Sequence, residues 1–282
     1  MQTKKSFKYW QWRVIISSMI GYSIFYFVRK NFSFAMPALG AEYGITDTSF
    51  GVILTLVGLI YGVSKLVNGF IADRSNPRWH LALGLGICVI LNFIFGWSAD
   101  ISRLISGQSE GPDFINVMVM VIAVLLVLNN IFQGCGFAPC NHLMVNWVPP
   151  KELATKMSLW NTAHSIGAGI VAVVCGWIIG SLGVNLAGSP DVVSAIAGNL
   201  GKEISDPAVI QAASHVGAWQ WCFWIPAAIG AFGVFFIIAT LRDTPSSVGL
   251  PELPNTKTEL DDDDSPEAFR KFIIDKVIKN KI

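Results

Sequence analysis

Residues 14–28 read VIISSMIGYSIFYFV, a mainly apolar segment followed directly by Arg29 and Lys30. With its neighbours it forms a segment longer than the roughly 20 mostly apolar residues that a helix needs to cross a bilayer. A helix is required there because lipid cannot satisfy the polar groups of an open backbone. The sequence therefore predicts a transmembrane helix over residues 11–36.

Five further segments have the same length and character, at residues 49–72, 80–98, 114–137, 157–182 and 219–241. The composition agrees, since 52% of the 282 residues are hydrophobic and only 14% are charged, against about 25% in soluble domains. These values exclude disordered, collagen-like and disulfide-scaffold proteins. A net charge of +1 gives no reason to expect a nucleic-acid partner. We expect an all-α membrane protein with six transmembrane helices in a lipid bilayer.

The rest of the sequence predicts no metal site, and its composition becomes polar and charged near the C-terminal end. The five cysteines form no C-x-x-C pair and no Cys/His ligand pattern, so we read them as packing residues and expect no metal and no cofactor. We expect residues 1–250 to form the transmembrane domain. Residues 251–282 contain a run of four Asp and a segment of alternating charge and apolarity, which predicts a cytoplasmic linker and a helix on the membrane surface.

The basic residues outside the predicted spans are distributed unequally. The first-to-second loop has none and the remaining loops of that side have one each, Arg103 and Lys202. On the other side, the N-terminal segment with the start of the first span and the two loops carry eight: Lys4, Lys5, Lys8, Arg13, Arg74, Arg78, Lys151 and Lys156. By the positive-inside rule, we expect both termini of this chain in the cytoplasm. The long polar segment 183–217 then becomes an external loop, with at most a short helix.

The ionisable residues inside the spans are all basic or histidine. Arg29 and Lys30 lie in the first span, Lys65 in the second and His164 in the fifth, and no Asp or Glu lies deep in any span. An ionisable group in a bilayer costs at least about 2.5–3.5 kcal/mol and is read as functional by default. Fixed positive charges without an internal counter-ion predict a site for an anion.

Helical spacing places tyrosines beside two of these charges. Tyr26 and Tyr22 precede Arg29 by three and seven residues, and Tyr61 precedes Lys65 by four, so each set shares one helix face. Arginine can donate two parallel hydrogen bonds to phosphate, and lysine adds a point charge. We predict that these five side chains line a water-filled cavity and bind a phosphate group. The alternatives are packing for the tyrosines and snorkelling for Lys65.

Four further residues are candidates by position. His164 follows Asn161 by three residues. Histidine side chains can gain or lose a proton near neutral pH, so His164 could respond to the protonation state of the ligand. Gln133 lies on a polar stripe of the fourth span. Lys30 points about 100° away from Arg29 on a helix, so both cannot face one cavity equally. For all four, ligand binding competes with an ordinary structural role, which for Lys30 is snorkelling.

Several segments resemble known families. GFIADRSNPR, at residues 69–78, resembles the loop signature of the major facilitator superfamily. Five other segments resemble, in order and position, the organophosphate:phosphate antiporters within it: FVRKNF at 27–32, YGVSK at 61–65, FQGCGFAPC at 132–140, WNTAHSIGAG at 160–169 and RDTPSSVGLP at 242–251. The FVRKN and WNTAH segments are most similar to members that carry glycerol 3-phosphate.

The resemblance implies roles for individual residues. It makes Arg29 the phosphate-binding arginine and places Lys65 and His164 near the cavity. It also implies that Asp73, Arg74 and Arg78 pair across helix ends and control gating without touching substrate. Family members have twelve spans in two halves with the site between them, so we expect this chain to be the N-terminal half, with a C-terminal six-helix half as its partner.

The resemblance further implies a multi-pass carrier of the cell inner membrane and no enzyme. It would take up glycerol 3-phosphate in exchange for inorganic phosphate by alternating access, because a site with bare positive charges cannot return empty through an occluded state. Two other functions stay open. Hexose-phosphate carriers share part of the pattern, and a transporter-like sensor of organophosphates would bind the ligand without exchanging it.

Overall fold

The computed structural model describes residues 2–253, with side chains from residue 7 onward. Most of these residues lie in ten α-helices, which are α1 Gln2–Tyr43, α2 Asp47–Ala72, α3 Pro77–Phe95, α4 Ser98–Ser106, α5 Pro112–Gln133, α6 Phe137–Trp147, α7 Pro150–Ser181, α8 Pro190–Leu200, α9 Pro207–Ser214 and α10 Ala218–Thr240. A short 3-10 turn follows at Pro245–Val248. Except for residues 251–253, the predicted linker and surface helix lie outside the described residues.

Within residues 2–253, five segments are long and apolar enough to cross a membrane: α2, α3, α5 continued through α6, α7 and α10. The helix α1 has 42 residues and is therefore also long enough, but its polar side chains keep it out of this set. Counting α1 gives the six predicted spans, and the all-helical membrane fold is confirmed. Large apolar side chains remain exposed along α2, among them Leu59, Leu66 and Phe70.

The largest boundary difference concerns the predicted loop before the fifth span. Lys151 and Lys156 were expected in that loop, and this was wrong: both lie in the first two turns of α7. The helix can begin at Pro150 because a proline at the first helical position loses no hydrogen bond and already has a helical φ. The preceding span is also longer than predicted, since the chain turns at residues 134–136 and continues as α6.

One end of the bundle, here named the basic end, gathers the start of α1, the α2–α3 loop, the α6–α7 loop and the end of α10. Gln11 Nε2 donates to the carbonyl of Trp147 at 2.8 Å, and Trp147 Nε1 donates to the carbonyl of Arg242 at 2.9 Å. At this end Asn76 caps α3: its side chain accepts from the amide of Trp79, and the helix begins at the next residue, Pro77. The two bonds of Trp147 thereby join three of these four parts of the chain.

The opposite end contains the segment 183–217, which folds into two short helices, α8 and α9, where at most one was expected. Val184 and Val216 exchange two backbone hydrogen bonds at its base. Its apolar residues pack on Ala41 of α1 as a small separate core. Asn199 Nδ2 donates to the carbonyl of Ala41 at 2.9 Å, so the segment is attached to the end of α1.

Candidate functional site

Two predicted ligand residues meet on the ring of a third. The guanidinium carbon of Arg29 lies 3.7 Å from the centre of the Tyr61 ring, and Lys65 Nζ lies 5.0 Å from it. Both distances are within the range of cation–π attraction. Since Arg29 belongs to α1 and the other two to α2, the tertiary structure unites two faces that the sequence could define only separately.

A row of aromatic rings continues from Arg29 to α7. The ring centre of Tyr26 lies 5.7 Å from the guanidinium carbon of Arg29 and 6.0 Å from the ring centre of His164. Tyr22 lies 5.6 Å from Tyr26 and 4.8 Å from Trp160, again between ring centres. We call this set the Arg29 cluster: Arg29, Tyr61, Lys65, Tyr26, Tyr22 and His164.

The cations of the cluster have no counter-ion in the described part of the chain. Arg29 is half-buried and Lys65 exposed, and neither takes part in a hydrogen bond or ion pair among those residues. The ion pairs found between residues 7 and 253 all lie elsewhere, at Arg103–Asp100, Lys156–Glu152 and Lys202–Asp206. The cluster is thus a positively charged, aromatic surface with free hydrogen-bond donors, which suits an oxyanion.

Close contact between α1 and α7 brings His164 to the cluster. Trp160 Nε1 donates to Ser18 Oγ at 3.1 Å, and Ser23 Oγ donates to the carbonyl of Ala163 at 2.8 Å. At Gly167, a Cβ atom would lie 2.5 Å from the carbonyl oxygen of Ser23. Only glycine permits the two backbones to come this close, and the helix crossing at this point sets the position of His164.

A similar contact between α2 and α5 supports Lys65 from behind. Ser64 Oγ donates to the carbonyl of Ile131, and a Cβ at Gly134 would lie 2.1 Å from Ser64 Oγ. A groove of about 510 Å³ begins beside Lys65 and Phe137 and includes His142 and Asp73 among its lining residues. The groove connects the cluster with the basic end of the bundle.

The structure does not bring three of the candidates into the cluster. Gln133 is buried, and its amide lies 3.3 Å from the carbonyl oxygen of Phe25 and 3.5 Å from that of Val28. Lys30 is exposed, with no hydrogen bond or ion pair within the described range. Asn161 is exposed as well, and its carbonyl bonds to the imidazole of His164. Their roles as ligands stay predictions.

The predicted gating residues lie at the basic end. Asp73 and Arg74 are exposed directly after α2, whereas the guanidinium of Arg78 donates to the carbonyl of Ile238 near the end of α10. Asp243 accepts from the backbone amide of Arg78 at 3.1 Å and from the side chain of Asn76. Side-chain contacts therefore connect the start of α3 with the end of α10, and the gating role itself stays a prediction.

Sequence reasoning missed Phe137, Asp243 and Glu42. The ring centre of Phe137 lies 5.1 Å from Lys65 Nζ. Asp243 belongs to the RDTP segment at residues 242–245, and nothing in the sequence indicated its hydrogen bonds to the start of α3.

No three His, Cys, Asp or Glu side chains within residues 7–253 are grouped so as to hold a metal ion.

Glu42 lies six residues beyond the predicted end of the first span, against the segment 183–217. It accepts from the backbone amide of Gly217 at 2.8 Å and from Trp219 Nε1 at 3.1 Å. Burial raises the pKa of Glu42 to about 7, although both hydrogen bonds act in the lowering direction. Loss of hydration therefore outweighs the two donors.

Two curated sequences and one solved structure are among the known proteins that are similar to this chain. The chain is 33% identical over 258 residues to a "Probable hexose phosphate transport protein" of Chlamydia trachomatis, covering 92% of this chain and 45% of the relative. It is 32% identical over 247 residues to the "Glycerol-3-phosphate transporter" of Bacillus subtilis, covering 88% and 45%. A bacterial homologue of the human lysosomal transporter Spinster has a similar fold, with a TM-score of 0.60 at 18% identity over 93% of this chain and 49% of that one.

The chain thus spans about half the length of the curated relatives it matches. A family profile also matches most of the chain. It covers residues 18–279 and is described as "Major Facilitator Superfamily". By this match the chain belongs to the Major Facilitator Superfamily.

Proposed function

We propose that this chain forms the N-terminal half of a carrier that takes up a phosphate ester, glycerol 3-phosphate, in exchange for inorganic phosphate. The observation that carries the proposal is the pairing of Arg29 and Lys65 on the ring of Tyr61 without any carboxylate partner among the described residues. Arg29 supplies a planar fork for two phosphate oxygens, and Lys65 supplies a point charge. The Tyr26 hydroxyl and His164 are next along the row.

Exchange follows from the charge of the cluster. If the site closed without an anion, the two cations would pass through an occluded state with neither water nor counter-ion, at a high desolvation cost. A phosphate group neutralises them, so the loaded site can change its orientation and the empty one cannot. The mechanism needs only binding and reorientation and no covalent step, so we propose a carrier and no enzyme.

The second half is proposed to cover the face that bears the cluster. On α2 and α7, a Cβ added at Gly58, Gly62, Gly176 or Gly180 would meet no atom within 4 Å. Glycines at such spacing permit close helix contact in membranes, and here the described residues leave that contact open. The lengths of the relatives support a partner of similar size.

We further propose that the basic end lies in the cytoplasm and the carrier in the cell inner membrane. Except for Lys4 and Lys5, whose side chains lie outside the described part, the predicted cytoplasmic basic residues belong to this end, including the two in α7. The groove beside Lys65 then opens toward the cytoplasmic side. Labelling of single cysteines at position 74 and position 202 with a membrane-impermeant reagent in intact cells tests this: we expect reaction at 202 only.

Counterflow in proteoliposomes tests the exchange. The segment is reconstituted with the second half, on one chain or two, in vesicles loaded with inorganic phosphate. We expect uptake of labelled glycerol 3-phosphate that requires internal phosphate. Uptake without internal phosphate would contradict the exchange. Binding without any uptake would favour a sensor of organophosphates, and preferential uptake of a hexose phosphate would assign that substrate class instead.

A further inference from the structure

Four amide side chains meet in the interior of the bundle behind Arg29. Each is at most 5% exposed: Asn31, Asn92, Asn129 and Gln133. They come from α1, α3 and α5, within the predicted spans. Amides in such surroundings need hydrogen-bond partners, because an unpaired polar group away from water is costly.

Three of these amides donate to one carbonyl of α1. The Nδ2 atoms of Asn92 and Asn129 both lie 2.9 Å from the carbonyl oxygen of Val28. Gln133 adds a weaker contact of 3.5 Å to the same oxygen. Asn92 Nδ2 also lies 3.2 Å from Asn129 Oδ1, which connects the two donors. One peptide group of α1 is therefore held from α3 and α5 together.

A second attachment lies just beyond Arg29. Asn31 Nδ2 donates to Asn92 Oδ1 at 2.7 Å and to the carbonyl of Cys222 in α10 at 2.9 Å. The hydrogen bonds of these amide side chains thus hold the helical turn 28–31 on both sides of residue 29. We call Asn31, Asn92, Asn129 and Gln133 the amide clamp.

The clamp holds the peptide group that joins Val28 to Arg29. The Val28 carbonyl and the Arg29 amide nitrogen belong to one planar peptide group, so holding that oxygen sets the rotation of α1 about its axis at this residue. Val28 is fully buried on the clamped side, and Arg29 lies about 100° further around the helix. Among the described residues the guanidinium itself meets only aromatic rings, which attract it without strict direction.

We propose that Asn92 and Asn129, with Gln133, are positioning residues that orient Arg29 for phosphate. Phosphate as the ligand rests on the proposed function, whereas the orientation of Arg29 does not. Asn130 provides a matched control: it has the same side chain, lies on the same helix and is equally buried. Among the described residues, however, its amide donates only to the carbonyl of Leu126 in its own helix.

The experiment compares Asn129→Leu with Asn130→Leu in the purified chain. One readout is the rate at which phenylglyoxal modifies Arg29, measured by mass spectrometry with Arg103 as internal reference. The other is the dissociation constant for inorganic phosphate. For Asn129→Leu we expect a several-fold change in the Arg29 rate and about tenfold weaker phosphate binding, because a misdirected side chain loses charged hydrogen bonds. For Asn130→Leu we expect both values to stay near wild type at a similar loss of thermal stability.

Equal Arg29 rates in the two variants would overturn the proposal. So would failure of Asn129→Leu and the smaller Asn129→Ala to fold while Asn130→Leu folds, because the amide would then have a general structural role. Absence of phosphate binding by the wild-type chain, both alone and together with the second half, would contradict the proposed function instead, and the modification rates would still decide whether the clamp orients Arg29.

Discussion

Arginine at position 29 is valuable for the shape of its charged group as much as for the charge. We predict that Arg29→Lys weakens phosphate binding roughly 10- to 100-fold, because it removes a charged hydrogen bond worth about 1.5–3 kcal/mol while keeping the charge. Isothermal titration with inorganic phosphate measures the change. The reverse exchange at a distant position, Lys151→Arg, is the control and should leave affinity unchanged, since Lys151 is exposed and outside the cluster. Unchanged affinity in Arg29→Lys would remove Arg29 from the ligand set.

The residues of the cluster were partly predictable from spacing along single helices. The spacing of Tyr22, Tyr26 and Arg29 along the sequence is enough to place them on one helix face, and the structure places them in one row. The position of Tyr61 between Arg29 and Lys65 could not be predicted, because it depends on how α1 and α2 approach each other. For the same reason the sequence could not separate Gln133, whose amide faces backbone carbonyls, from the residues that face the open side.

At the scale of helices, we predict that Gly167→Ala separates α7 from α1. The new methyl group would lie 2.5 Å from the carbonyl oxygen of Ser23, a backbone atom that cannot turn aside. Overpacking of this kind costs about 1–3 kcal/mol and moves His164 away from Tyr26. The melting temperature in detergent and the phosphate affinity should both fall. Gly169→Ala is the control, since a Cβ there meets nothing within 4 Å; equal losses in both variants would contradict the close-contact explanation.

A second prediction at this scale concerns the attachment of segment 183–217. Because the pKa of Glu42 is raised to about 7 from 4.5, its neutral form favours the folded contact. Thermal stability should therefore decline as pH rises from about 4.5 to about 7 and change little above that. Glu42→Gln should abolish this part of the pH dependence in a differential scanning experiment. Glu203→Gln, at an exposed position, should keep it, and a wild-type curve that rises with pH across this range would refute the assignment.

Helix existence was predicted well and helix limits less well, for identifiable reasons. Length and hydropathy located α2, α3 and α10 within a few residues. They could not show that α7 begins at Pro150, because its first two turns are polar and contain Lys151 and Lys156. The two helices of segment 183–217 are short and only partly apolar, so their stability depends on packing against α1, which no local pattern reveals.

At the scale of the whole molecule, the open glycine face predicts where a second half binds. Gly62→Phe adds a large side chain where the described residues leave space, so the chain alone should keep its melting temperature. Co-purification with the second half and counterflow should both fail. Leu83→Phe is the control, as Leu83 is 65% exposed on α3, away from the cluster, and should affect neither. Normal counterflow in Gly62→Phe would place the interface elsewhere.

The hydrogen-bonded pair Val184 and Val216 has a consequence for the history of this architecture. Because these two residues are held together, the chain between them starts and ends at one place. Its length or sequence can therefore change between related proteins while the membrane helices on either side keep their spacing. Changes that adapt the protein to its surroundings can thus occur in segment 183–217, and the charged residues of the Arg29 cluster are selected separately.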